Sequence, residues 1–173
     1  MTKDSILEQR RLHAEESDAI MSRISSYPTG EDSEEIHWRT LICNVAFDLT
    51  KAPAEYADSY QAWRRMNRVA GLRASVTDFT LQQRFREVID GYNSDKIFGA
   101  TEKGYVGMFP RTARAGDQVY VLFGGEFPFV LRKIKGQGYY QLVGQCYIHG
   151  IMEGQLDLKN YAAEEIYLAG TDE

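Results

Sequence analysis

Cysteine, surplus positive charge and long apolar runs are scarce in this 173-residue chain, and each scarcity excludes a class of protein. Two cysteines, Cys43 and Cys146, do not make a disulfide framework, so reduced thiols and a cytoplasmic or nuclear setting are expected. Lys and Arg together number 20 against 25 Asp and Glu, giving a net charge of -5. That balance argues against a nucleic-acid partner, which normally demands a basic surplus to neutralise phosphates. The basic residues Arg111, Arg114, Arg132, Lys133 and Lys135 read as solvated surface charge. No apolar run approaches the roughly 18 residues that cross a bilayer, so no membrane association is expected. The stretch Met1 to Ile24 is too charged for the apolar core of a secretory signal.

What is present is ample material for a core, with 43% hydrophobic and 12% aromatic residues. The first half is helical in pattern. Lys3 to about Ile24 reads as a charged helix, with Ser5 and Glu8 at capping-box spacing and a thin stripe of Ile6, Ile20 and Ile24. Pro28 and Gly30 break it. A second helix starts near Asp32, with Trp38, Leu41, Ile42 and Val45 on one face. A third carries Tyr56, Tyr60, Trp63 and Met66 and stops at Gly71. A fourth runs from about Asp78 to Tyr92, with Leu81, Phe85, Val88, Ile89 and Tyr92 on one side and Gly91 and Asn93 as terminators.

After Asn93 the period shortens. Lys96–Ala100, Tyr105–Phe109, Gln118–Gly124, Phe127–Ile134 and Tyr139–His149 read as strands separated by glycine-containing turns, and Glu165–Leu168 as a last short one. Helices followed by strands indicate an α+β fold: about four N-terminal helices packed on a small antiparallel β-barrel of roughly five to six strands. The expected organisation is an N-terminal helical extension over residues 1–30 and one helix-plus-barrel domain over 31–173, with helices at about 32–93 and the barrel at about 96–169.

Chemistry-bearing motifs are few. His13, His37, His149, Cys43 and Cys146 show no metal-ligand spacing, so neither a metal nor a cofactor is expected. Gly136-Gln137-Gly138 precedes a strand instead of opening a helix, which fails the context of a dinucleotide fingerprint. Strand alternation places Cys146 with Tyr140, Leu142 and Ile148 on an apolar face, so its thiol belongs to the core and not to a Cys146–His149 nucleophile pair. The same alternation gathers Gln141, Val143, Gln145, Tyr147 and His149 on a polar face. Such a face either lines a ligand site, with Gln141, Gln145, Tyr147, His149 and Arg132 as binding residues, or is the wet side of a half-exposed sheet. If the protein is an enzyme, Tyr147, His149 and Glu153 would supply acid–base chemistry. Arg132 and Asp117 suit an internal pair that fixes strand register.

The strand-rich half also carries a long ordered pattern: Phe98, Thr101, Gly104-Tyr105, Gly107, Pro110, Ala115-Gly116-Asp117, Gly124, Pro128-Phe129-Val130-Leu131-Arg132, Leu142-Val143-Gly144, Cys146-Tyr147 and His149-Gly150-Ile151-Met152. This resembles the carboxy-terminal region of fungal heterokaryon-incompatibility (HET-domain) proteins, and Trp38-Arg39-Thr40-Leu41 resembles the helical stretch before it. The family's usual ending, Gly-x-Met-Asp-Gly-Glu, is here Gly150-Ile151-Met152-Glu153-Gly154-Gln155, and the HET domain itself has no counterpart. The resemblance therefore implies the accessory region without the effector: a non-catalytic recognition or regulatory module binding a protein or a small apolar or aromatic ligand. The alternative is a cofactor-independent cyclase or isomerase of fungal secondary metabolism, using an aromatic-lined pocket.

Overall fold

The computed structural model describes residues 3–68, 75–155 and 163–169, with residues 3–11, 68 and 92 as backbone only. Expectations that rest on the side chains of Ser5, Ile6, Glu8 and Tyr92, or on Gly71, lie outside the described residues. Helices α1 (Lys3–Met21), α2 (Ser33–Leu41), α3 (Tyr56–Arg68) and α4 (Val76–Tyr92) precede strands β1 (Lys96–Ala100), β2 (Val106–Pro110), β3 (Gln118–Val121), β4 (Pro128–Lys133), β5 (Tyr139–Gln145), β6 (Tyr147–Ile148) and β7 (Tyr167–Leu168). The fold is α+β.

Helices α2 and α4 begin where a side chain satisfies orphan backbone groups. Asp32 caps α2, accepting from the Glu34 and Glu35 amides at 2.9 and 3.3 Å. Helix α4 starts earlier than the apolar pattern alone places it, because Ser75 accepts from the Asp78 amide at 3.0 Å. Asn93 closes α4 and ties it to α2, its Nδ2 donating to the Leu41 carbonyl at 2.9 Å and its backbone N–H donating to the Ile89 carbonyl. The main core joins all four helices to the first sheet: Trp38, Tyr60, Trp63, Phe85, Phe98, Val106 and Met108 pack together with Ala14 and Met21 of α1. Burying side chains of this size stabilises by roughly 1.5–3 kcal/mol each.

The strands form two sheets, ordered β1-β2-β6 and β3-β4-β5-β7. Among the described residues neither sheet closes on itself, so the strands stand as two sheets where the sequence pattern predicts one small closed barrel. A second core of Val130, Cys146 and Ile148, flanked by Tyr105, Phe109, Val119 and Val143, fills the space between them. The antiparallel expectation needs correction, since β7 runs parallel to β5, with Tyr139 opposite Tyr167.

The expected single strand Tyr139–His149 is two strands. Val130 faces Gly144 and Leu131 faces Leu142, so Val143 is an extra residue on β5. This bulge reverses the side-chain phase. Leu142 is 48% exposed, whereas Cys146 and Ile148 are buried in the second core. The chain then turns at Cys146, whose amide donates to the Pro128 carbonyl at 3.0 Å, and enters the other sheet as β6. Neither face assigned by simple alternation survives this change of phase.

Candidate functional site

Once β6 leaves the second sheet, Tyr147 and His149 turn toward the helical body. Tyr147 enters the main core, and His149 is 4% exposed. The His149 amide donates to the Val106 carbonyl at 2.9 Å, extending the β2–β6 ladder. Tyr27 donates its hydroxyl to the His149 carbonyl at 2.8 Å and accepts from the Val106 amide at 3.2 Å. One phenol thereby pins both strands to the segment between α1 and α2. Gly150 has φ of 83°, and a Cβ there would meet Thr29 Cγ2 at 2.6 Å, so glycine permits both the turn and the close approach.

Both ring nitrogens of His149 are engaged. Nδ1 lies 2.9 Å from the Tyr147 hydroxyl and Nε2 lies 3.2 Å from Glu31 Oε2. A carboxylate only accepts, so Nε2 carries the proton and donates to Glu31, leaving Nδ1 to accept from Tyr147. Burial lowers the His149 pKa from its ordinary value, against the opposing pull of Glu31, and so favours this neutral form. Burial raises the Tyr147 pKa, keeping its proton in place. For Glu31, burial opposes ionisation, but the 2.5 Å hydrogen bond from Thr29 and the neighbouring His149 outweigh it and bring the carboxyl below its usual range.

A cleft of about 210 Å³ opens over this chain of hydrogen bonds, and charged side chains dominate its wall. Arg39 donates Nε to Glu35 at 2.6 Å and Nη1 to Asn44 and the Ala52 carbonyl, while its guanidinium lies 4.2 Å from the centre of the Trp38 ring. Lys51 pairs with Glu153 at 2.9 Å. The wall beyond Arg39 is a small hairpin. Helix α2 ends with the Asn44 amide donating to the Arg39 carbonyl at 2.6 Å, Cys43 and Asn44 both holding positive φ. Val45 then bridges Lys51, and the tip exposes Phe47 and Leu49 at 63% and 68%. Leu49 has φ of 65°, a left-handed conformation that costs a non-glycine residue on the order of 1 kcal/mol or more.

Of the sequence-predicted site residues, Tyr147, His149 and Glu153 all line this cleft. The structure does not bring Gln141, Gln145 or Arg132 to it. Gln141 is exposed on β5, and Gln145 borders a separate groove with Lys96, Arg111 and Val143. Arg132 instead grips Asp117 through two 2.8 Å hydrogen bonds and donates to the Thr112 carbonyl, clamping the base of the β3–β4 hairpin. Sequence reasoning missed Glu31, Glu35, Arg39, Asn44 and Lys51. Only Glu35 and Arg39 carried a local signal, their i,i+4 spacing on a helix. Among the described residues, no group of three His, Cys, Asp or Glu side chains converges as a metal site would require.

Compared with known proteins, residues 20–169 match the Het-6 beta-barrel domain. A 58-residue stretch is 45% identical to heterokaryon incompatibility protein 6, OR allele, of Neurospora crassa, covering 32% of this chain and 8% of that protein. The matched stretch is therefore a small part of that relative's length. No solved structure matches the chain.

Proposed function

The chain belongs to the Het-6 beta-barrel domain family, and on that premise we propose that it is a non-catalytic recognition module of a heterokaryon-incompatibility system, binding a protein partner through the His149 cleft and the adjoining Asn44–Ala52 hairpin. The observation that carries this reading is the pairing of a charged concavity with an apolar tip. Phe47 and Leu49 stand in solvent on a hairpin whose stem residues, Asn44 and Lys51, line the cleft. Exposed apolar side chains rimmed by polar groups are the usual make-up of a protein interface. The cyclase or isomerase alternative finds less support. Its substrate would need an enclosed apolar pocket, whereas this cleft is small and charged, and both His149 nitrogens are engaged within the protein.

Selection of a displayed peptide library on the intact chain tests the proposal. Selected peptides are expected to lose at least tenfold in affinity for a Phe47→Ser, Leu49→Ser double variant, with its urea midpoint unchanged. Undiminished binding to that variant would rule out the hairpin as the recognition surface.

A further inference from the structure

The cleft's charges are not evenly matched. Glu35 is paired with Arg39, and Glu153 with Lys51. Glu31 receives hydrogen bonds from the Thr29 hydroxyl and from neutral His149, neither of which cancels its charge. Arg39 lies near enough to favour the Glu31 carboxylate, but its Nε and Nη1 donors are directed at Glu35, Asn44 and Ala52. Glu31 thus presents a carboxylate to the cleft with 41% of its side chain exposed, already oriented by two donors and, among the described residues, not ion-paired with a Lys or Arg.

We propose that the partner presents an arginine or lysine side chain to Glu31 in this cleft, followed by an apolar side chain that packs on Phe47 and Leu49 at the hairpin tip. The inference rests on the recognition reading above and adds the chemistry of the partner. A guanidinium is the better match, because its planar fork donates to a carboxylate in two directions while its face tolerates apolar neighbours. The orientation of Glu31 by Thr29 and His149 lowers the cost of fixing it on binding. Leu49 fits the same picture, since an apolar residue held at positive φ in solvent gains its packing only when a partner covers it.

The test is a backbone-amide NMR titration of the isotope-labelled full chain with three dipeptide probes: N-acetyl-Arg-Leu-amide, its citrulline analogue and N-acetyl-Glu-Leu-amide. The arginine probe is expected to give saturable shifts at Asn44, Leu49 and Gly150, with at least tenfold weaker binding for the other two. Glu31→Gln retains an acceptor for Thr29 and His149 and is expected to weaken the arginine probe at least tenfold. Lys51→Gln, which frees Glu153 in the same cleft, is expected to tighten it, so a folding defect in one variant leaves the other decisive. Equal binding of the citrulline probe, or indifference to both substitutions, overturns the cation. If the acidic probe binds there instead, the cation falls while the recognition surface stands. If no probe moves the cleft amides, both fall.

Discussion

His149 decides the chemistry of the cleft because its two nitrogens do different jobs. Truncating it would orphan the buried Tyr147 hydroxyl and remove a donor from Glu31, so His149→Ala is expected to cost about 1–3 kcal/mol in chemical denaturation. The same burial makes the fold acid-sensitive. The folded-state pKa of His149 is lowered, so the unfolded chain takes up its proton first as pH falls. Stability from this group is complete above the ordinary histidine pKa of about 6.5 and is lost as pH drops through the folded value. Depressed Glu31 acts in the same direction at lower pH, contributing above its unfolded pKa and losing that contribution on acidification. Urea midpoints at pH 7.5 and 5.5 should therefore fall more steeply in wild type than in His149→Gln; parallel slopes would mean that His149 already protonates freely in the folded state.

At the level of elements, the contact that positions the cleft is the closeness of β2 to β6. Gly107 lies opposite Ile148, and a Cβ there would collide with the Tyr147 carbonyl and approach Ile148 Cδ1 at 2.7 Å. A backbone carbonyl cannot swing aside as a side chain can. Gly107→Ala is accordingly expected to destabilise by about 1–3 kcal/mol or more, with accelerated amide exchange at His149, whose N–H donates across this pairing to Val106. Wild-type exchange at His149 in that variant would show that the strands part without cost. The helices follow local rules more openly. Helix α3 keeps the face that its spacing predicts, with Tyr56, Tyr60 and Trp63 buried and Met66 partly so. The expected α2 face holds only for Trp38 and Leu41: the helix ends at Leu41, Ile42 caps it in the core, and Val45 belongs to the hairpin, where it bridges Lys51. The β5–β6 stretch keeps neither of its expected faces. A single unpaired Val143 shifts its phase, and the one residue type in Tyr139–His149 that suits a bulge is Gly144 beside it, which marks neither its position nor its effect on the faces.

Across the whole molecule, two cores meet along β2, β5 and β6, and each contains a thiol as part of its packing. Cys43 packs against the main core and donates to Asn93 Oδ1, while Cys146 lies in the core between the sheets. Burial pushes both thiols up to about 12, well away from the reactive range. Neither should react with a thiol reagent at pH 8 while the chain is folded. Both should react together as urea unfolds it, at the midpoint seen by fluorescence, because Tyr27 ties the helical segment to both β2 and β6. Labelling of Cys146 ahead of the fluorescence change would mean that the second core opens independently of the first.

The sequence by itself determined the order of elements, the α+β class, the apolar face of α3, and the family pattern over the strands. Each of these follows from a period or a spacing that neighbouring residues carry among themselves. Only the tertiary structure decided that the strands form two sheets, that Val143 changes the phase of β5, and that Glu31 meets His149 across 118 residues of chain. The physical reason is the same in all three cases. A long-range contact depends on how two surfaces pack, and hydrophobic burial fixes that packing without requiring any repeat in the chain. Tyr147, His149 and Glu153 were legible as polar residues at and beyond a strand end; what they face was not.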